Sequence, residues 1–157
     1  MSDPAAMPRE VASSRPEITR ALMDETGLDD AVLTRLVHAF YDRVRRDPTL
    51  GPIFAERISD WEPHLARMVA FWSSVALMTG RYHGSPMRAH LPLPVERAHF
   101  DRWLELFAQA ARETCPPRGA AHVMERAERI AASIHGAIVD RRDGHGLSST
   151  PPKLRPA

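Results

Sequence analysis

The sequence predicts an all-α protein. Apolar residues recur at three- and four-residue steps over most of the chain, which is the period of a helix with one buried face. No run alternates apolar and polar residues for long enough to indicate a strand. One helical domain is expected over residues 16–142. The proline-, serine- and glycine-rich ends, residues 1–15 and 143–157, are predicted to be disordered tails.

The first half of the domain contains two helices and a turn. Pro16 opens a short helix that Gly27 ends in a left-handed cap. Asp29 or Asp30 then caps a second helix, and the segment from Asp47 to Phe54 is rich enough in proline and glycine to predict a tight turn or a short helical piece. The second helix carries a broad apolar face, formed by Val32, Leu33, Leu36, Val37, Phe40, Tyr41 and Val44.

The second half begins with a helix predicted from Asp60 to about Thr79. Its apolar positions divide into two stripes, which indicates a helix sandwiched between neighbours. One stripe consists of His64, Met68, Phe71, Val75 and Met78, and the other of Trp61, Leu65, Val69, Trp72 and Ala76. Pro94 can open the next helix, which bears Phe100, Trp103 and Phe107, and a final helix is predicted from about Ala120 to Arg141.

Composition narrows the function classes. The 157 residues are 43% hydrophobic, and 21 basic against 20 acidic side chains leave a net charge of +1. This balance gives no excess of positive charge with which to bind a nucleic-acid backbone or an anionic membrane, so a small-molecule partner is expected. The single cysteine, Cys115, excludes an internal disulfide and favours a reducing compartment. Since no membrane span or secretory signal is recognisable, we expect a cytoplasmic protein.

Two histidines suggest a haem site. His90 lies in a short segment, predicted as little more than one helical turn, between Pro86 and Pro92. A neutral imidazole held stiffly in this way suits the proximal position of haem iron. His64 lies on the long helix that would pass the other side of a flat cofactor. The alternative for His90 is a solvent-facing loop histidine.

Three side chains are candidate donors on the side opposite His90. Tyr41, His64 and Trp103 come from different helices, and each carries a polar tip on an apolar face. Dioxygen on ferrous iron acquires partial negative charge, which such donors would stabilise. The alternative for each is core packing with a satisfied polar end. The remaining candidate haem contacts are Phe54 at the porphyrin edge, Met68 and Phe71 on its face, and Arg81, Tyr82 or Arg88 at the propionates.

The chain resembles the group III truncated haemoglobins of bacteria over about residues 18–140. Seven motifs agree in order and spacing, namely residues 40–47, 50–54, 61–64, 71–72, 79–82, 86–91 and 103–107. The other two groups typically carry Gly-Gly pairs at helix junctions, where this chain has single glycines. The resemblance implies a two-over-two helical globin fold around haem b, with His90 as proximal ligand. It further implies Tyr41, His64 and Trp103 as distal residues and Phe54 as the ring-packing phenylalanine.

Three functions are open at this point. The leading hypothesis is high-affinity binding of dioxygen and other diatomic ligands, CO and NO, at ferrous iron. The second is a redox enzyme, a nitric oxide dioxygenase or a peroxidase-like protein, which would need a separate reductase as partner. The third is a haem-free helical sensor or interaction module. Whether His64 itself ligates the iron at rest is also open.

Overall fold

The computed structural model describes residues 15–84 and 95–146, the last six of them as backbone only. Within these ranges every regular element is a helix, as predicted, and there is no strand. The helices are α1 Pro16–Thr26, α2 Asp30–Arg46, α3 Leu50–Arg57, α4 Trp61–Leu77, α5 Arg97–Thr114 and α6 Pro117–Gly146. In the described part of the chain, no helix combines the length and the apolar character that crossing a bilayer requires.

The long helices form two pairs. Helix α2 packs against α4, α5 packs against α6, and α2 also lies against α5, which joins the pairs. The predicted apolar face of α2 is buried along its whole length, from Val32 to Val44. Burial of a stripe this wide stabilises the sandwich, since each fully buried large apolar side chain contributes about 1.5–3 kcal/mol.

The ends of α1 and α2 follow their capping residues. Gly27 has a φ of 75° and donates its backbone N–H to the Met23 carbonyl over 2.8 Å. A Cβ at this position would lie 2.9 Å from the Pro116 ring, so both the left-handed backbone and the close approach require glycine. Of the two aspartates predicted to cap α2, Asp29 is the one that does so, accepting the Val32 N–H over 2.9 Å.

The segment predicted as a turn or short helical piece is the eight-residue helix α3. Its start is held by the buried carboxylate of Asp47, which accepts the backbone N–H groups of Thr49 and Leu50 over 3.0 and 2.9 Å. Gly51 permits the tight approach of α3 to the end of α2, because a Cβ there would lie 3.0 Å from the Arg45 carbonyl oxygen. This corner carries Phe54 towards the interior.

The later helix ends differ from the predicted bounds. Helix α4 ends at Leu77, and Met78 follows in a left-handed conformation with 40% of its surface exposed. Met78 therefore does not continue the apolar stripe that begins at His64. Helix α6 begins at Pro117 and runs to Gly146. Proline fits the first turn of a helix, where its missing N–H has no partner to lose.

The core has two parts. The larger cluster joins α2, α4, α5 and the first half of α6 around Phe40 and Phe107. The smaller consists of Val95, Ile134 and Ile138, with Ile53 and Phe100 packed against it. Side chains from both clusters face a cavity.

Candidate haem site

A cavity of about 390 Å³ opens between α2, α3 and α4 on one side and α5 and α6 on the other. Its volume falls in the range of about 300–1,000 Å³ that is usual for small-molecule sites. The walls are largely apolar and include Ile53, Met68, Phe71, Val95, Phe100 and Ile134. An apolar cleft with a few polar groups suits a small organic ligand.

The three candidate donors meet at this cavity. Tyr41 from α2, His64 from α4 and Trp103 from α5 all line it. The Tyr41 and His64 rings are 5.0 Å apart between centroids and stand nearly perpendicular, at 85°. Trp103 reaches the same space from the opposite helix pair, and its ring lies 5.3 Å from that of Phe40, the chain neighbour of Tyr41. The donor set predicted from different helices is thus brought to one place.

Tyr41 is the most deeply buried of these donors, with 7% of its surface exposed. Burial raises the pKa of its phenol well above the ordinary value, because the charged phenolate is poorly solvated there. The hydroxyl therefore keeps its proton at neutral pH. A neutral phenol can donate a hydrogen bond to an acceptor in the cavity, whereas a phenolate could not.

Trp103 is held by a stack of rings. Its indole lies 5.6 Å from the Phe107 ring at an interplanar angle of only 10°. Trp72 of α4 also stacks on Phe107, with the two ring centroids 4.8 Å apart and an interplanar angle of 26°. Phe107 is fully buried. The plane of the Trp103 indole is thereby fixed by contacts that span both helix pairs.

The other predicted haem contacts divide into two sets. Phe54, Met68, Phe71 and Tyr82 all line the cavity. Arg81 does not line it, and its guanidinium donates to both carboxylate oxygens of Asp30 over 2.8 and 3.0 Å.

The segment that contains His90 and Arg88 lies outside the described residues. Iron ligation by His90 and a propionate contact by Arg88 therefore stay predictions.

Sequence reasoning missed two arginines at the cavity. Arg57, at the end of α3, and Arg67, on α4, both contribute to its lining and are exposed. In the sequence they are indistinguishable from the many arginines of solvated helix faces. His99 also lines the cavity, although it belongs to the first turn of α5, where its Nδ1 accepts the Glu96 backbone N–H over 2.7 Å. Its position four residues before Trp103, one helical turn away, is the sequence feature that points to the same cavity.

Comparison with known proteins decides the family. The family model for bacterial-like globins matches residues 21–136. The group 3 truncated hemoglobin ctb of Campylobacter jejuni is 33% identical over 111 residues, which are 68% of this chain and 87% of that protein. The chain is a group III truncated haemoglobin of the bacterial-like globin family. Globins of this family carry haem and bind ligands at its iron.

One solved structure supports this assignment, and a group 2 relative is similar over a shorter part of the chain. The crystal structure of the group III truncated haemoglobin from Campylobacter jejuni superposes with a TM-score of 0.67 at 30% identity, covering 71% of this chain and 91% of that one. The group 2 truncated hemoglobin YjbI of Bacillus subtilis is 31% identical over 85 residues, 53% of this chain and 64% of that protein. The predicted family is confirmed.

The residues at the cavity fit haem. A porphyrin presents two apolar faces and one edge with two carboxylates. The globin's cavity offers aromatic and aliphatic walls for the faces, through Phe54, Met68 and Phe71. It also has two arginines, Arg57 and Arg67, whose guanidinium groups suit carboxylates.

Proposed function

We propose that this globin holds haem b in the cavity between the helix pairs, with His90 as the axial ligand. We further propose that dioxygen, carbon monoxide or nitric oxide binds on the side of Tyr41, His64 and Trp103, with high affinity for dioxygen. The observation that carries the proposal is the convergence of these three donors from α2, α4 and α5 on one apolar cavity. Haem supplies ferrous iron with an axial position open to a diatomic gas.

The buried hydroxyl of Tyr41 is the principal donor in this proposal. Its raised pKa keeps the proton on the oxygen, so it stabilises partial negative charge on a neighbouring ligand. The rings of Phe40, Phe54 and Trp61 pack against the phenol, which is 7% exposed, so little solvent reaches it. The Trp103 indole N–H, held in a fixed plane by Phe107, contributes a second donor without having to reorient.

Oxygen affinity follows from the number of donors. A hydrogen bond to a charged group contributes about 1.5–3 kcal/mol, and each 1.4 kcal/mol changes an equilibrium constant about tenfold. Two or three such bonds would slow the release of oxygen far too much for ordinary transport. The proposed function is accordingly tight binding of a diatomic gas, with slow dissociation.

Arg57 and Arg67 are the proposed partners of the haem carboxylates, together with the Tyr82 hydroxyl. Both arginines line the cavity, whereas Arg81 does not. Exposed ion pairs between these arginines and the haem carboxylates contribute modestly to affinity, but they favour one orientation of the porphyrin in the cavity. Arg88, from the same segment as His90, remains a candidate for this role.

The test of the proposal is the absorption spectrum of the purified protein in its ferric, ferrous and carbon monoxide forms. A Soret band that shifts on reduction and on addition of carbon monoxide is expected. His90→Gly should lose that ferrous spectrum and regain it when imidazole is added, because free imidazole replaces the missing side chain. A colourless protein that is fully folded would refute haem binding, and a His90→Gly variant with an unchanged spectrum would refute the assignment of His90.

A further inference from the structure

Trp61 makes ring contact with two of the proposed ligand-facing residues without itself lining the cavity. Its centroid lies 5.7 Å from the Tyr41 ring and 5.6 Å from the His64 ring. With the 5.0 Å contact between Tyr41 and His64, the three rings form a closed triangle. Two of its contacts are edge-to-face, at 85° and 87°, and the third is tilted at 59°. A rotation of any one ring therefore displaces the other two.

Helix α2 holds Trp61 at two points. Tyr41 supplies one, and Arg45, one turn further along α2, supplies the other. The Arg45 guanidinium carbon lies 4.5 Å from the centroid of the Trp61 ring, which is a cation–π contact. Residues four apart share a face of a helix, so Tyr41 and Arg45 together fix the place of the indole against α2.

Helix α4 carries the other half of the arrangement. Trp61 is its first residue and His64 follows three positions later, on the adjoining stripe, where residues three apart are neighbours on the helix surface. The imidazole is thus packed against an indole from its own helix and a phenol from α2. Trp61 contacts the imidazole directly and is itself held against α2 by Tyr41 and Arg45, so its orientation affects that of the imidazole.

We propose that Trp61 is a positioning residue for Tyr41 and His64, and that Arg45 holds it in place. The inference rests on the proposed function, because it assigns to Trp61 the aiming of donors at a bound diatomic ligand. Loss of the indole opens a space behind both rings, into which they rotate away from the cavity. The donors then remain present in the protein but are no longer held in one geometry.

The experiment compares Trp61→Ala with Leu65→Ala in the haem-loaded protein. Leu65 lies one turn further along the same stripe of α4, is partly buried and packs against the core, but does not line the cavity. One or two aromatic contacts correspond to about three- to tenfold in a rate, so Trp61→Ala should speed oxygen dissociation by that factor. Leu65→Ala should stay within about twofold of the parent although it also loses buried surface.

A spectroscopic measurement separates positioning from general loosening. The stretching band of bound carbon monoxide reports the field of the donors around it, so Trp61→Ala should broaden or split this band, while Leu65→Ala keeps the parent band. Trp61→Phe retains a ring and should restore a single band. If Trp61→Ala does not fold, Trp61→Leu takes its place in the comparison.

Arg45 is tested against its neighbour. Arg45→Met should broaden or split the carbon monoxide band less than Trp61→Ala does, because it removes only the cation–π contact that holds the indole. Arg46→Met should keep the parent band, since Arg46 is exposed and is not the arginine that lies over the Trp61 ring.

The proposal for Trp61 is overturned if Trp61→Ala shows the parent band and an oxygen dissociation rate within about twofold of Leu65→Ala. Failure of the proposed function would look different, because the parent protein itself would then form no carbon monoxide complex.

Discussion

Replacement of Tyr41 by phenylalanine isolates one hydroxyl from everything else that Tyr41 does. The ring packs edge-on against Phe40, at 4.8 Å, and against Phe54, at 6.0 Å. A phenylalanine keeps these contacts, and it keeps the contacts with Trp61 and His64. The substitution should therefore leave the fold and haem content unchanged and remove a single donor from the cavity.

The expected size of the effect follows from the burial of that hydroxyl. At 7% exposure, solvent contributes little to stabilising a partly charged ligand beside Tyr41. A hydrogen bond to such a ligand is worth about 1.5–3 kcal/mol, so the oxygen dissociation rate of Tyr41→Phe should rise about tenfold to a hundredfold. Because burial raises the pKa of the phenol, the rate of the parent protein should be flat between about pH 6 and pH 9.

Stopped-flow replacement of oxygen by carbon monoxide measures this rate directly. The matched control is Thr19→Val, which removes another hydroxyl, one that donates to the Leu77 carbonyl over 2.7 Å. The control should dissociate oxygen at the parent rate. A Tyr41→Phe rate equal to that of the control would remove Tyr41 from the set of donors, and a parent rate that rises steeply with pH would show that the phenol ionises.

Three further predictions concern stability, haem retention and turnover. Burial alone would raise the pKa of Asp47. The hydrogen bonds donated by Leu50, Arg102 and Thr49, together with the Arg102 charge, outweigh burial and hold that pKa below its ordinary value. The lowered pKa adds to the free energy of unfolding at pH values above the ordinary carboxyl pKa. That stabilisation is lost as the pH falls through the pKa of the folded state. Asp47→Ala should thus cost about 1–2 kcal/mol through the lost cap at about pH 7, and the cost should shrink in acid, as urea unfolding can check. Neutralising both Arg57 and Arg67 as glutamine should speed haem transfer to an acceptor apoglobin; an unchanged transfer rate would contradict their role. If tight gas binding is the function, turnover with nitric oxide or peroxide should not exceed that of free haem, and turnover well above it would favour the redox alternative.

Helical periodicity predicted the parts of the fold that depend on one buried face. The stripe on α2 from Val32 to Val44 is buried as its spacing indicates, and the position of Tyr41 within it follows directly. The start of α3 and its packing against the end of α2 could not be predicted in this way. The helix depends on the Asp47 carboxylate and on the close approach at Gly51, which are contacts between segments and leave no periodic signal.

At the candidate site, too, the sequence identifies some residues and not others. Tyr41, His64 and Trp103 could be singled out because each is a polar group on an otherwise apolar stripe. The opposite wall could not, since an apolar residue such as Ile134 on α6 has the same pattern whether it faces the core or a cavity. Arg57 could not be identified either, because an exposed arginine at the end of a helix is usually solvated.

A crystal structure of the haem-loaded protein tests the central claim most directly. The porphyrin should lie in the cavity between the α2–α4 and α5–α6 pairs, with the His90 imidazole bonded to iron and the Tyr41 hydroxyl on the opposite face. Porphyrin bound elsewhere, or a His90 ring turned towards solvent, would contradict the account.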